Sequence, residues 1–310
     1  MLVARLEKYR VFSFWSFCVS CDFFPFTSCN TCFCLCHRYF LKASIMPVTF
    51  SKPLPQCHTK RDRDQVLALW SMIEKHLPQR SLKRVTHQLE FGAGKAEATR
   101  QAQDMKLQAI GCDRDDKCIE DGVVVKLNYT DAKKGFGQSV RHVLRVVECG
   151  TVIFAIQCSS LVFLSRSTSG RDTWRPLGDT TMPFVKDGNS GILHASALCL
   201  LCYRRNVRPL VENPSSSILG AVPPFDLLVN LGILEVLGTT DLGAFQGESK
   251  KSLRLWSKEA TAFAREHLCK KTGQSFKKKA NLVHVKKTAT GVKVTGKKDA
   301  LKQSQAYTPE

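Results

Sequence analysis

Residues 85–100 read Val-Thr-His-Gln-Leu-Glu-Phe-Gly-Ala-Gly-Lys-Ala-Glu-Ala-Thr-Arg, and residues 107–118 read Leu-Gln-Ala-Ile-Gly-Cys-Asp-Arg-Asp-Asp-Lys-Cys. The pattern predicts strand, glycine turn, helix, second strand and acidic end. Glycine at 92 and 94 lets the backbone bend sharply and approach a ligand closely. Residues 95–106 are rich in Ala, Glu, Gln, Lys and Met, which form helices readily. The apolar run at 107–112 stops at Asp113. A carboxylate at the end of a second parallel strand is placed to hold ribose hydroxyls. The unit therefore reads as the nucleotide half of a doubly wound α/β sheet.

A Gly-x-Gly by itself is also compatible with an ordinary tight turn. Glu90 before it, the helix after it and Asp113 beyond favour a nucleotide-type site built from Glu90, Phe91, Gly92, Gly94 and Asp113. The third glycine of a dinucleotide fingerprint is missing, and Ala96 stands nearest to it. The Glu-x-Gly-x-Gly pattern resembles the first motif of class I methyltransferases. That resemblance implies S-adenosylmethionine as cofactor, in preference to NAD.

The rest of the chain extends the same alternation. An apolar helical face at Val66, Leu69, Trp70 and Ile73 predicts a packed helix from Asp62 or Asp64 to about His76, ahead of Pro78. Residues 123–127 predict a third buried strand, followed by Asn128 and Asp131, which suit either an adenine-facing polar group or a capped loop. A helix is expected over 140–147 and a fourth strand over 151–156. That strand runs into Gln157, Cys158, Ser159 and Ser160. Chemistry in open α/β sheets gathers at the carboxyl ends of strands, which makes Cys158 a candidate nucleophile. Residues 165–175 form a polar, flexible segment with Arg166, Arg171, Trp174 and Arg175, suited to phosphates and bases. A helix starting at Asn189, a fifth strand ending in Glu212 and Asn213, and a proline-led helix at Pro223 follow. Two strands are expected at 233–237 and 252–256, and a final helix at 260–271.

This order of pieces resembles the catalytic domain of DNA cytosine-5 methyltransferases over about residues 83–257. Cys158 matches the nucleophile of that family, Glu212 its acid and Asn213 the residue beside it. Gly243 and Gln246 match part of a later supporting segment, with Lys250 or Lys251 near the place of an arginine. The resemblance implies methyl transfer from S-adenosylmethionine to C5 of cytosine in nucleic acid, DNA in preference to RNA. Ile156 and Gln157 stand where that family carries prolines, and Pro214 replaces a valine. An alternative therefore keeps the fold as an inactive nucleic-acid-binding module. A third reading is a class I methyltransferase with another substrate, in which Cys158 is incidental.

The net charge of +19 over 310 residues favours a polyanionic partner. Part of it comes from eleven lysines between Lys270 and Lys302, where Asp299 is the one acid. Body cysteines such as Cys149, Cys199 and Cys202 sit in apolar runs and read as reduced core residues of a nuclear or cytoplasmic protein, and a secreted disulfide scaffold is not expected. Residues 1–45 differ in composition. Their Cys18-x-x-Cys21 and Cys29-x-x-Cys32 pairs have the ligand type for zinc, but the spacer is short and apolar. The segment reads instead as an extension upstream of Met46, with no metal site assigned. It is too short and broken for a membrane span. Residues 46–82 then form a linker and helix, 83–271 the Rossmann-like domain, and 272–310 a lysine-rich tail expected to be disordered.

Overall fold

The computed structural model describes residues 48–258, apart from 49, 80–81, 116–122 and 242–251, together with two strands at 283–288 and 291–296. The main sheet has seven strands: β1 (Thr86–Phe91), β2 (Ala109–Asp113), β3 (Val124–Lys126), β4 (Val146–Ala155), β5 (Arg208–Pro214), β6 (Val236–Asp241) and β7 (Ser252–Trp256). Their order is β3-β2-β1-β4-β5-β7-β6. β1 to β5 are mutually parallel, and β7 is antiparallel to both β5 and β6. This is an α/β, doubly wound, Rossmann-like sheet. It departs from the dinucleotide-binding order 3-2-1-4-5-6 by the reversed strand between β5 and β6. The order reverses between β1 and β4, and the carboxyl ends of strands at such a reversal are where open α/β sheets bind ligands.

Among the described residues six α-helices accompany the sheet: α1 (Lys60–Glu74), α2 (Glu97–Asp104), α3 (Gly135–Leu144), the single turn α4 (Arg166–Ser169), α5 (Pro183–Arg204) and α6 (Pro223–Asn230). Apolar faces of α1, α3, α5 and α6 share one core with Leu89, Phe91, Val152, Phe154 and Val211 of the central strands. Ile153, Leu210, Leu237 and Leu255 form a smaller cluster, with Ala98 of α2 packed on it. Strand alternation accounts for the split, since neighbouring residues face opposite sides of a sheet. Helix α1 buries the face expected of it, Val66, Leu69, Trp70 and Ile73.

Several boundaries differ from the sequence reading, each for a physical reason. Thr59 caps α1, its Oγ1 accepting from the Asp62 amide, so the helix starts before the aspartates. Helix α3 occupies 135–144, and β4 already begins at Val146. The β-branched pair Val146 and Val147 goes to the strand, and an irregularity follows. Thr86 pairs with Val146 while Gln88 pairs with Thr151, with Cys149 left-handed at φ 59° inside the bulge. Strand β3 is not buried throughout. It lies at the sheet edge, with Val125 and Lys126 exposed.

Helix α5 starts at Pro183, six residues ahead of Asn189. Its early turns hold Gly188 and Gly191, which lower helix propensity and hid the start. Close packing explains both. A Cβ on Gly188 would lie 2.6 Å from Ser160 Oγ, and one on Gly191 3.2 Å from Thr130 Cγ2. In the β6 region, Ile233 and Leu234 plug the main core and the strand begins only at Val236. The lysine-rich tail is not wholly without structure. Val283–Thr288 and Gly291–Gly296 form an antiparallel hairpin in which Val285 pairs with Val294. Alternation of valine with polar residues supplies the strand pattern there. The expected helix at 260–271 and the cysteine-rich segment at 1–45 lie outside the described residues. No helix among the described residues is long and apolar enough to cross a membrane.

Candidate functional site

The glycine turn joins β1 to α2 at the carboxyl edge of the sheet. Gly92 has φ +74°, and a Cβ there would meet the carbonyl oxygen of Ala155 at 2.5 Å. Glycine is thus required both by conformation and by the tip of β4 next door. Gly94 has φ +53°, but nothing lies within 4 Å of a Cβ placed on it. Its flank is open, which leaves the backbone accessible. Ala96 also adopts the left-handed region, at φ 55°, and caps α2 without a side-chain hydrogen bond.

The amides of this turn are already engaged. Gly92 N and Ala93 N donate to Cys112 O at 2.9 and 3.1 Å. Gly94 N donates to Asp113 Oδ2 at 2.8 Å. Thr99 N, at the start of α2, donates to Glu90 Oε2 at 3.1 Å, and the Thr99 hydroxyl donates to the same oxygen at 2.6 Å. A loop that cradles a pyrophosphate needs such donors free and a helix start without a carboxylate. Here the turn is closed onto β2, and acids occupy the helix start. Asp113 stays half-buried at the rim, its Oδ1 accepting from Asp115 N at 2.8 Å. Each carboxylate oxygen has two lone pairs, so Asp113 keeps acceptor capacity for hydroxyl groups.

Two expected cofactor residues have other roles. The Phe91 ring is fully buried, stacked on Phe154 at 5.4 Å and tilted against Tyr129 at 5.6 Å. Glu90 is 1 % exposed and lies beneath the turn, tied to Thr99. Burial pushes its carboxyl up to about 7, with Asp113 and Glu97 adding to the rise and the Thr99 hydrogen bonds opposing it. Asn128 does lie beyond β3. Its Oδ1 accepts from the amide and hydroxyl of Thr130, at 3.1 and 2.8 Å, and so shapes its own loop. The Thr130 hydroxyl shares its proton with Asp187 Oδ1, 3.1 Å away, and Arg114 pairs with Asp187 Oδ2 at 2.9 Å. These contacts tie the tips of β2 and β3 to the first turns of α5. The sequence reading missed Thr99, Thr130 and Asp187, whose roles depend on partners 9 to 73 residues away.

The second half of the site lies across the tips of β4 and β5. Ala155 is the strand partner of Glu212, and Cys158 follows three residues later. Cys158 is half-buried, and its carbonyl accepts from Leu161 N and Val162 N, which coils the chain at the strand end. Glu212 is buried on the face of Leu210, and Asn213 takes the opposite face with Val211. Asn213 Nδ2 donates to Ile156 O at 2.8 Å and ties the two tips together. Ile218 N donates to Leu161 O at 3.1 Å, so the loops after both strands meet.

Three buried polar atoms in and just after the ends of β4 and β5 have no hydrogen-bond partner within the protein: Gln157 Oε1, Ser160 Oγ and Asn213 Oδ1. Orphaned buried polar groups each cost roughly 1–3 kcal/mol. Their gathering at two strand tips marks a place where a ligand or ordered water completes the bonding. No His, Cys, Asp and Glu grouping suited to a metal occurs among the described residues.

The arginines expected to bind substrate divide. Arg171 is 1 % exposed and donates to Pro176 O, to Val185 O at 3.2 Å and to Asn189 Oδ1 at 2.8 Å. It is an internal brace and is not available to phosphate. Arg166 is half-buried with its guanidinium 5.1 Å from the Phe163 ring, and Arg175 is exposed. The segment is also less loose than its composition suggests, since α4 and a series of hydrogen-bonded turns organise it. Gly243, Gln246, Lys250 and Lys251 lie outside the described residues.

No family model matches the chain. No curated protein matches it either. Among solved structures, a TehB-like SAM-dependent methyltransferase from Corynebacterium glutamicum is similar, at 12 % identity over 65 % of this chain and 95 % of that one, with a TM-score of 0.29. That likeness is faint, and the site is defined by the strand order and the residue contacts alone.

Proposed function

We propose that the protein binds S-adenosylmethionine at the tips of β1 to β3 and transfers its methyl group to nucleic acid, at C5 of cytosine, through Cys158. The observation that carries this reading is the closed glycine turn. With the amides of Gly92, Ala93 and Gly94 bonded to β2, a pyrophosphate finds no donors, while Asp113 still faces the rim. A nucleoside without phosphates fits that chemistry and a dinucleotide does not. The reversed strand between β5 and β6 agrees with the class I methyltransferase fold that the sequence resembles.

Asp113 would hold the ribose hydroxyls, the open flank of Gly94 would lie along the ligand, and the loop of Asn128 would border the base. When bound, the cofactor supplies an electrophilic methyl group. The chain's own residues prepare the acceptor. The Cys158 thiolate adds to C6 of an unstacked cytosine, and Glu212 delivers a proton to N3. The two acts leave C5 nucleophilic. C5 then takes the methyl group, the C5 proton is lost to water, the thiolate departs, and the N3 proton returns to the Glu212 carboxylate, which restores the ring. The base must leave its stack, because the ring edge is otherwise out of reach. The orphaned atoms of Gln157, Ser160 and Asn213 are of the right chemistry to bond such a base.

One observation favours the alternative of a binding module without catalysis. Ile156 is buried in the main core directly before the Cys158 turn, where the resembled family carries proline. Labelled S-adenosylmethionine incubated with the protein and DNA or RNA separates the readings. Label transfer that disappears in Cys158→Ala supports the cytosine mechanism. Transfer that survives that substitution assigns the methyl group to another acceptor. Salt-sensitive nucleic-acid binding with no cofactor binding supports the inactive module.

A further inference from the structure

The segment between β4 and α5 displays apolar surface that the core does not use. Of the seven large apolar side chains exposed among the described residues, four lie within 163–182: Phe163, Trp174, Leu177 and Met182. Trp174 is 91 % exposed and Phe163 64 %. A tryptophan on a slack loop would say little, but this one sits on a fixed turn. Asp172 Oδ1 accepts from Trp174 N at 2.8 Å and from Arg175 N at 2.6 Å. Arg171 braces the turn from below through Pro176 O, Val185 O and Asn189. A Cβ on Gly178 would lie 2.5 Å from the Arg171 Cγ, so the brace is tightly enclosed. The chain therefore builds a supported turn and leaves its largest side chain in water.

Charge is arranged to match. Arg175 is exposed beside Trp174, and the Arg166 guanidinium lies 5.1 Å from the Phe163 ring. Two neighbouring acids are turned to local hydrogen bonds, Asp172 to the amides of Trp174 and Arg175, and Asp179 to Thr181 N and Oγ1, at 3.0 and 2.7 Å. The Trp174 and Phe163 rings and the Arg175 guanidinium are thus offered outward in a chain of net charge +19. Base faces stack on aromatic side chains, and arginine takes the phosphate.

We propose that this segment is a stacking platform for unpaired bases of single-stranded nucleic acid, with Trp174 and Phe163 receiving bases and Arg175 a phosphate. The inference rests on nucleic acid being the substrate and adds which form is bound. A duplex hides its base faces within the stack, whereas a single strand presents them.

The test uses the full chain and fluorescein-labelled oligothymidylate of about 16 nucleotides, with a duplex of the same length for comparison. Anisotropy titrations at several salt concentrations should give tighter binding of the single strand. Trp174→Ala should weaken single-strand binding about tenfold. Its effect on duplex binding should be small, because a duplex keeps its base faces within the stack. Arg175→Ala should reduce the salt slope for the single strand by about 0.7. Equal or tighter binding of duplex, or unchanged affinity in Trp174→Ala, overturns the proposal. So does Trp174-dependent binding to anionic phospholipid vesicles that exceeds binding to the oligonucleotide. The proposal and the cofactor reading fail separately. Trp174-dependent single-strand binding without affinity for S-adenosylmethionine removes methyl transfer alone. Cofactor binding without single-strand preference removes the platform alone.

Discussion

Asp113 Oδ2 accepts a hydrogen bond from Gly94 N at 2.8 Å, across 19 residues of chain. The bond joins the glycine turn after β1 to the carboxyl end of β2. It fixes the carboxylate at the rim and removes an amide that would otherwise serve a phosphate. Asp113→Asn keeps an oxygen for Gly94 N and gives up the exposed bond from Asp115 N, so it should cost about 0.5 kcal/mol. Asp113→Ala removes that acceptor and should cost about 1 kcal/mol in urea unfolding.

Gly92 and Gly94 share a positive φ and differ in surroundings, so alanine should separate them. Gly92→Ala meets both the backbone strain and the Ala155 carbonyl. A loss of about 3 kcal/mol is expected. Gly94→Ala meets open space and should lose about 1 kcal/mol from conformation alone. Its affinity for S-adenosylmethionine should nevertheless fall, because the added methyl occupies the side where a ligand would lie. Denaturant titration and calorimetry on both variants check the contrast.

Glu90 should make stability depend on pH. Its folded carboxyl is raised from 4.5 to about 7 by burial. The folded state therefore binds the proton more tightly than the unfolded chain does. The stability from that preference is fully present below 4.5 and is lost as pH rises to about 7. Relative to Glu90→Gln, the wild-type protein should weaken across that window and level off above it. Equal slopes for the two proteins between pH 4.5 and 7 would contradict the burial argument.

Asn213 and Cys158 should respond in opposite ways. Asn213→Ala strips the Ile156 carbonyl of its donor and should destabilise the domain by roughly 2 kcal/mol. Cys158→Ala alters a half-buried side chain and should cost less than about 1 kcal/mol. Methyl transfer to nucleic acid should be abolished in Cys158→Ala even though the protein unfolds normally.

Arg171 should behave as a brace. Arg171→Ala leaves carbonyl and amide oxygens buried without a donor and should cost about 3 kcal/mol. Arg171→Lys should recover only part of this, since one ammonium cannot reproduce the guanidinium fork. Thermal melts of the two variants provide the measurement.

The alternation of apolar runs and helix formers made the doubly wound sheet readable, because periodicity reports burial directly. The glycine turn and Asp113 were readable for a related reason: local conformation and strand order place them. Other features depend on distant partners. Nothing local shows that Phe91 turns into the core, that Glu90 is held by Thr99, or that Arg171 is internal while Arg175 is not. Composition alone made residues 165–175 look uniformly available to a ligand. The start of α5 was hidden by Gly188 and Gly191, which signal a loop in sequence but serve close packing in space.

Calorimetric titration of S-adenosylmethionine into the full-length protein tests the central claim most directly, with Asp113→Ala titrated in parallel. We predict saturable one-to-one binding to the wild-type protein, and at least about tenfold weaker binding to the folded variant, as expected for loss of a carboxylate bonded to ribose hydroxyls. No saturable binding to the wild-type protein, or equal affinity in the two proteins, would contradict the account.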